Sequence, residues 1–316
     1  LLNSKAVNIV WLKRDLRSQD HEPLLKAECA GIPYLIIYLF EPSRIEYPDT
    51  SQRHLQFVYH SIGSLNKVLS EFNRRVELFY GEAVEVFNYL IKDLDIISVF
   101  SYQESGTQGS WERDKKIKQF CRSNQINWEE SQRDGILRGI ENRKDWNKKW
   151  HLKMHTPVIQ NKFTICKEMS LEHPFLMPSI LESQLKEYPS HYQPPGEKNA
   201  WRYLKSFTNQ RGFNYQRHIS KPMESRMSCS RLSPYLAWGN MSIKQAFQFI
   251  GTHPNGTRNN KAFSAMLTRL HWHCHFIQKF EMECRYETEC INSGYEILPH
   301  EKNEAFIKAW KTGTTG

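Results

Sequence analysis

The sequence lacks the features of several large protein classes. Its longest strongly apolar run is Tyr34–Phe40, seven residues long, whereas a membrane-spanning helix needs about twenty. Nothing at the N-terminus is typical of a signal peptide. The seven cysteines are odd in number and include no Cys-x-x-Cys pair, which favours free thiols in a reducing compartment. We therefore expect a cytoplasmic protein with no membrane partner.

Two phosphate-binding fingerprints are also absent. Neither Gly-x-Gly-x-x-Gly nor Gly-x-x-x-x-Gly-Lys-Ser/Thr occurs, so the sequence predicts neither a dinucleotide fingerprint nor a Walker loop. Hydrophobic residues make up 39% of the chain, which excludes wholesale disorder, and 316 residues favour two domains. The 43 Lys and Arg against 34 Asp and Glu give a net charge of +9, which makes nucleic acid a candidate partner.

The first third of the chain alternates short apolar runs with amphipathic helical patterns. This alternation is typical of a doubly wound parallel sheet covered by helices on both faces, so we expect an α/β domain over residues 1–130. The predicted strands are Val7–Leu12, Tyr34–Phe40, Val76–Tyr80 and Ile96–Tyr102, and the predicted helices are Leu55–Phe72, Glu82–Leu94 and Trp111–Cys121.

The composition then changes twice. Residues 131–198 are basic and then rich in proline, which predicts an irregular connector, and Gln132–Trp150 has too few apolar positions for a core element. Tryptophans in or near this connector either stack on bases or anchor it to a domain: Trp146, Trp150 and Trp201. Residues 199–316 show helical patterns and no strand pattern, which predicts an all-α domain.

Charged residues follow the first predicted strand directly. Lys13–Arg17, Asp20 and His21 lie where the strand ends of an open α/β sheet face a ligand crevice. The alternative is a solvated loop with ion pairs.

A second candidate site combines basic residues with small polar ones. Arg217, Lys221, Arg226 and Arg231 surround the run Ser225–Ser233, which stands just before a predicted helix. Small side chains let backbone N–H groups approach an anion, which suits a pyrophosphate. The alternative is a loop that caps the helix.

A third candidate is the predicted helix Arg269–Phe276. His271 and His275 share one face of this helix, but no third ligand has a suggestive spacing, so no metal is predicted. Either these histidines pack at a semi-polar helix face, or the helix lines a pocket for a flat heteroaromatic ligand beside Trp272.

Together these features resemble the DNA photolyase and cryptochrome family. The matching elements are the opening Ile9–Ala27 with its Trp-Leu-Lys-Arg-Asp-Leu-Arg stretch, Arg53 with Phe57, Glu112-Arg113-Asp114, Tyr215 with Pro222, Ser230-Arg231-Leu232-Ser233-Pro234-Tyr235-Leu236 with Gly239, and Trp310-Lys311-Thr312-Gly313-Thr314-Thr315-Gly316. They occur in the family's order and cover essentially the whole chain.

The resemblance implies an antenna domain followed by an all-α FAD-binding domain that is incomplete at its C-terminus. It implies a monomer that binds FAD and DNA containing pyrimidine dimers. It also implies a lyase reaction, in which light-excited reduced flavin lends one electron to the dimer and recovers it after the ring opens. A second, antenna chromophore of folate or deazaflavin type is a further implication.

The resemblance also assigns site residues. Tyr215 and the run Cys229, Ser230, Arg231, Leu232 and Ser233 would meet the FAD phosphates and ribityl chain, and Trp272 would stack on the dimer. The flavin side of the helix would be lined by Arg269, Trp272, His273 and Phe276.

Two positions of this helix depart from the family pattern. The family usually has glutamate at the position of Arg269 and arginine at that of His273. Arg269 favours an alternative, a cryptochrome-like blue-light receptor that binds FAD without repair. A third hypothesis is a nucleotide-binding module without photochemistry.

Overall fold

A computed structural model describes residues 5–167, 171–256, 260–299 and 301–315. Gly316, the last residue of the Trp310–Gly316 motif, lies outside them. The first part of the chain forms one parallel sheet with the strand order β3-β2-β1-β4-β5. Its strands are β1 (Lys5–Leu12), β2 (Tyr34–Phe40), β3 (Val76–Tyr80), β4 (Leu94–Tyr102) and β5 (Asn127–Ser131).

Helices alternate with the strands in the first part of the chain and then follow one another in the second part. They are α1 (Glu22–Cys29), α2 (Pro42–Ile45), α3 (Gln52–Leu69), α4 (Ala83–Asp93), α5 (Gln108–Ser123), α6 (Trp146–Met154), α7 (Ser179–Lys186), α8 (Glu197–Ser206), α9 (Tyr215–His218), α10 (Pro222–Ser228), α11 (Ser233–Ala237), α12 (Ile243–Thr252), α13 (Asn260–Met282) and α14 (Glu304–Thr312). A π-helical turn, Phe207–Arg211, extends α8.

Two apolar cores lie on opposite faces of the sheet. Leu24 of α1 and Ile62 of α3 pack on one face, and Phe87 of α4 and Ile117 of α5 pack on the other. The predicted doubly wound α/β fold and its four strands are therefore confirmed. The fifth strand, β5, was not predicted because its sequence Asn-Trp-Glu-Glu-Ser is polar at an edge of the sheet.

The second part of the chain is helical, as expected. Among the residues described after Ser131, no strand occurs. Within the same described ranges, no helix combines the length and the apolar composition that crossing a bilayer requires.

The expectation that Gln132–Trp150 lacks a core element is wrong. Trp146 and Trp150 lie one helical turn apart on α6 and are 2% and 1% exposed. Both belong to the core of the helical part, so they anchor this segment and do not offer rings to bases. Trp201 is half-buried and packs edge-on against Phe249, with 5.4 Å between ring centroids.

The charged stretch after β1 is buried between the two parts of the chain. Asp20 is 3% exposed and accepts from Lys244 Nζ at 2.8 Å and from Ser242 Oγ at 2.6 Å. Arg17 donates to the carbonyl of Gly239 at 3.2 Å. The interpretation of this stretch as a solvated loop is therefore wrong, since its ion pairs form but most of its charged side chains are buried.

Candidate functional site

The run Cys229–Ser233 forms a tight loop between α10 and α11. Arg231 adopts a left-handed backbone conformation with φ of 63°, which non-glycine residues rarely take. Within the described residues, the backbone N–H groups of Ser230 and Arg231 donate to no protein acceptor. A strained backbone with free amide donors is typical of a functional loop, so this segment is the first candidate site.

Arg211 holds this loop in shape. It ends the π-helical turn after α8, which places its guanidinium beneath the loop. The guanidinium donates to the carbonyl of Ser230 at 3.1 Å, to that of Cys229, and to that of Tyr203 on α8 at 3.0 Å. Because the loop carbonyls point toward Arg211, the amides that follow them are left free for a ligand.

The cavity above the loop, about 460 Å³ in volume, has the donor set of an anion site. No carboxylate lines it within the described ranges, and it holds two guanidinium groups, from Arg226 and Arg231. Ser225 and Ser233 add hydroxyl donors. Burial raises the pKa of the Cys229 thiol, which keeps that side chain neutral. These residues fit the pyrophosphate of FAD.

A second cavity lies between α9 and α13. It measures about 680 Å³ and is lined by Gln216, Ile219, Lys261, Ser264, Ala265, Thr268, Arg269 and Trp272. Trp272 is 45% exposed, unusually high for tryptophan, and Phe276 lies against it edge-on at 6.3 Å. The Arg269 guanidinium lies over the Trp272 ring, 4.5 Å from its centroid. We call this cavity the tryptophan pocket.

The other predicted site residues lie deeper. Tyr215 is 4% exposed, and burial raises the pKa of its phenol. Leu232 is part of the helical core. His273 does not line the tryptophan pocket. Burial lowers the pKa of its imidazole, the charge of Asp134 acts to raise this pKa, and the charge of Arg133 acts to lower it. Its buried Nδ1 has no hydrogen-bond partner in the part of the chain described.

Two other histidines of α13, His271 and His275, contact polar side chains. His271 shares a hydrogen bond of 3.0 Å with Asn147, and His275 lies 2.7 Å from a guanidinium nitrogen of Arg143. Among the described residues, no three His, Cys, Asp or Glu side chains are grouped to hold a metal ion.

The crevice at the carboxyl ends of β1, β2 and β4 is filled with ion pairs. Arg14 binds Glu104 at 3.0 Å, and Arg113 binds Glu41 at 2.8 Å and Glu104 at 2.7 Å. The remaining cavity is about 80 Å³, well below the roughly 300 Å³ at which ligand pockets begin. This crevice therefore identifies no folate or deazaflavin chromophore, and we assign no step to one.

Sequence reasoning missed Arg211, which binds the carbonyls of the loop, and Lys261, which lines the tryptophan pocket. No motif surrounds either residue. Arg211 acts on the loop across 18 and 19 positions of sequence, so only the fold brings them together.

Two comparisons with known sequences find similar proteins. The family model for DNA photolyase matches residues 8–167. A deoxyribodipyrimidine photo-lyase from Alkalihalophilus pseudofirmus is 22% identical over 342 residues, which cover 99% of this chain and 67% of that protein. A cryptochrome DASH from Xenopus laevis is 27% identical over 121 residues, or 36% of this chain and 23% of that protein.

Solved structures share the fold. A bacterial class III photolyase from Agrobacterium tumefaciens matches 100% of this chain and 67% of its own with a TM-score of 0.80 at 20% identity. An archaeal photolyase from Sulfolobus tokodaii, whose structure holds two FAD molecules, matches 98% of this chain and 68% of its own with a TM-score of 0.75 at 21% identity. The chain thus spans about two thirds of the length of these photolyases.

Proposed function

This chain belongs to the DNA photolyase family, and from that premise we propose that it binds FAD and repairs pyrimidine dimers in DNA under blue light. The observation that supports this most is the pair of cavities: a cationic loop with free amides beside a pocket that presents an exposed tryptophan. The photo-lyase and photolyase relatives match along the whole chain, which adds to this proposal.

The loop Cys229–Ser233 would hold the pyrophosphate of FAD. The free amides of Ser230 and Arg231 are donors for its oxygens, and the guanidinium groups of Arg226 and Arg231 supply opposite charge. When bound and reduced, FAD supplies the light-driven electron on which repair depends.

The tryptophan pocket would hold the pyrimidine dimer after it has flipped out of the DNA stack. A dimer has to leave the DNA stack to reach a pocket, and an exposed indole replaces part of the lost stacking. Lys261 and Arg269 at the same pocket would contact the flanking phosphates, in keeping with the net charge of +9.

One observation favours the alternative of a blue-light receptor. Arg269 stands where the family usually has glutamate, and its guanidinium covers the Trp272 ring. A cation in this place removes the carboxylate acceptor for base N–H groups and competes with a base for the ring. The cryptochrome relatives are consistent with this reading.

Repair by the purified, FAD-loaded protein tests the proposal. Under blue light and a reductant, we expect it to convert dimer-containing oligonucleotides to intact thymines, measured by chromatography. The absence of conversion with reduced FAD bound would reject repair and favour the receptor.

Trp272→Ala tests the role given to the pocket. One lost base–aromatic stack is worth about 1–3 kcal/mol, so affinity for dimer-containing DNA should fall by roughly 5- to 150-fold. Affinity for undamaged DNA should change little, because phosphate contacts carry it. Phe306→Ala, which removes another exposed aromatic ring, is the matched control and should bind as the wild type does. Equal losses for damaged and undamaged DNA would contradict the assignment.

A further inference from the structure

A further cavity lies between the two parts of the chain. It measures about 520 Å³ and opens between the first turn of α3, the segment 188–193 and the residues of the loop and α11. Its wall includes Arg53, His54, Tyr188, Tyr192, Arg231 and Trp238. We call it the interdomain groove. It shares no lining residue with the tryptophan pocket.

The charge of the interdomain groove is of one sign. Arg53, Arg226 and Arg231 line it, and none of the three forms an ion pair with a described carboxylate. Arginines elsewhere do pair, for example Arg113 with Glu41 and Glu104. No Asp or Glu lines the groove among the residues described. Arg226 and Arg231 also line the loop cavity, so Arg53 is the guanidinium that lines the groove but not the loop cavity, and it offers the groove a site for an anionic group.

Several aromatic side chains line the rest of the wall, and hydrogen bonds and ring packing hold two of them in place. The Tyr188 hydroxyl donates to the Gln193 carbonyl at 2.6 Å, and the Gln193 amide donates to the Arg231 carbonyl at 2.7 Å. Tyr192 packs edge-on against Tyr188 at 6.0 Å. Burial raises the pKa of Tyr188 to about 12, so this ring adds no negative charge. Fixed rings beside cations suit a planar ring that carries an anionic group.

We propose that the interdomain groove binds one nucleotide, with its base against the tyrosines and its phosphate on Arg53. The volume of about 520 Å³ lies in the range of small-molecule sites. The same chemistry describes a free mononucleotide and the phosphorylated end of a DNA strand. The proposal does not depend on photochemistry, but Gln193, Arg226, Arg231 and Ser233 also line the loop cavity, so it has to be tested with FAD bound.

Binding to the FAD-saturated protein distinguishes the outcomes. The probes are AMP, inorganic phosphate, and a short oligothymidine with or without a 5′-phosphate, titrated by calorimetry. We expect AMP to bind more tightly than phosphate if the ligand is free, and the 5′-phosphorylated strand alone to bind if the ligand is a strand end. The proposal would be overturned if neither AMP nor the 5′-phosphorylated strand bound. It would also be overturned if both oligothymidines bound equally and AMP did not bind.

Charge reversal locates the site. Arg53→Glu should lower the affinity for the probe that binds by at least about tenfold, because it replaces a charge-assisted hydrogen bond by repulsion. Arg122→Glu makes the same change at an exposed, unpaired arginine at the end of α5 and should leave the affinity unchanged. Tyr192→Ala should lower the affinity for AMP but leave the affinity for inorganic phosphate unchanged. Equal affinities in Arg53→Glu and Arg122→Glu would place the ligand elsewhere, while unchanged FAD content shows that the loop site is intact.

Discussion

Replacing Gly239 with alanine is expected to cost roughly 4 kcal/mol or more of the free energy of unfolding. Gly239 has φ of 69°, and a Cβ there would lie 2.2 Å from the Arg14 carbonyl oxygen and 2.6 Å from the Asp15 Cα. The left-handed conformation alone costs about 1–2 kcal/mol for a residue with a Cβ. The clash adds more, since backbone atoms on both sides cannot move without breaking the Leu16 N–H bond to the Trp238 carbonyl, 3.1 Å long.

Gly31→Ala is the matched control for this substitution. Gly31 has φ of 64°, but no atom lies within 4 Å of its added Cβ. It therefore isolates the conformational cost of about 1–2 kcal/mol. Urea unfolding followed by circular dichroism measures both variants. A loss of stability no larger in Gly239→Ala than in Gly31→Ala would show that Arg14 and Asp15 do not lie against Gly239.

Replacing Arg211 with methionine is expected to lower the affinity for FAD by at least about tenfold. The guanidinium holds the carbonyls of Cys229 and Ser230, and hydrogen bonds to charged groups contribute about 1.5–3 kcal/mol each. Without them the loop loses the conformation that leaves its amides free. Arg211 touches no part of the cavity directly, so it acts as a positioning residue.

Flavin fluorescence during titration with FAD measures this loss. Arg202→Met is the control, because Arg202 packs on Tyr203, with the guanidinium carbon 5.5 Å from the ring centroid, and within the described residues it forms no ion pair or hydrogen bond with the loop. Arg211→Lys keeps the charge but cannot reach three carbonyls, so it should recover only part of the affinity. Methionine and lysine variants that fold and bind FAD like the wild type would refute the role of Arg211.

The sequence patterns were informative where apolar residues repeat. The runs that became β1 to β4 are buried between two layers of helices, so their composition marks them clearly. Strand β5 has a single large apolar residue, Trp128, and pairs only with β4. Helix α6 was missed because Trp146, Trp150 and Met154 are separated by mostly polar residues, although they form one buried stripe.

The candidate site was predictable only in part. The small residues around Arg231 indicated an anion loop, but its left-handed backbone depends on tertiary contacts. The charges after β1 indicated a ligand crevice, whereas the fold pairs Lys13 with Asp114, 101 positions away. Distant carboxylates therefore decide whether a cluster of basic residues is a site or a structural network.

A titration with FAD and with riboflavin decides whether the loop Cys229–Ser233 holds a pyrophosphate. If contacts between the loop and the pyrophosphate contribute most of the affinity for FAD, riboflavin should bind at least about 100-fold more weakly than FAD. Inorganic pyrophosphate should then compete with FAD. Binding of riboflavin as tight as that of FAD, or no binding of FAD at all, would contradict this assignment.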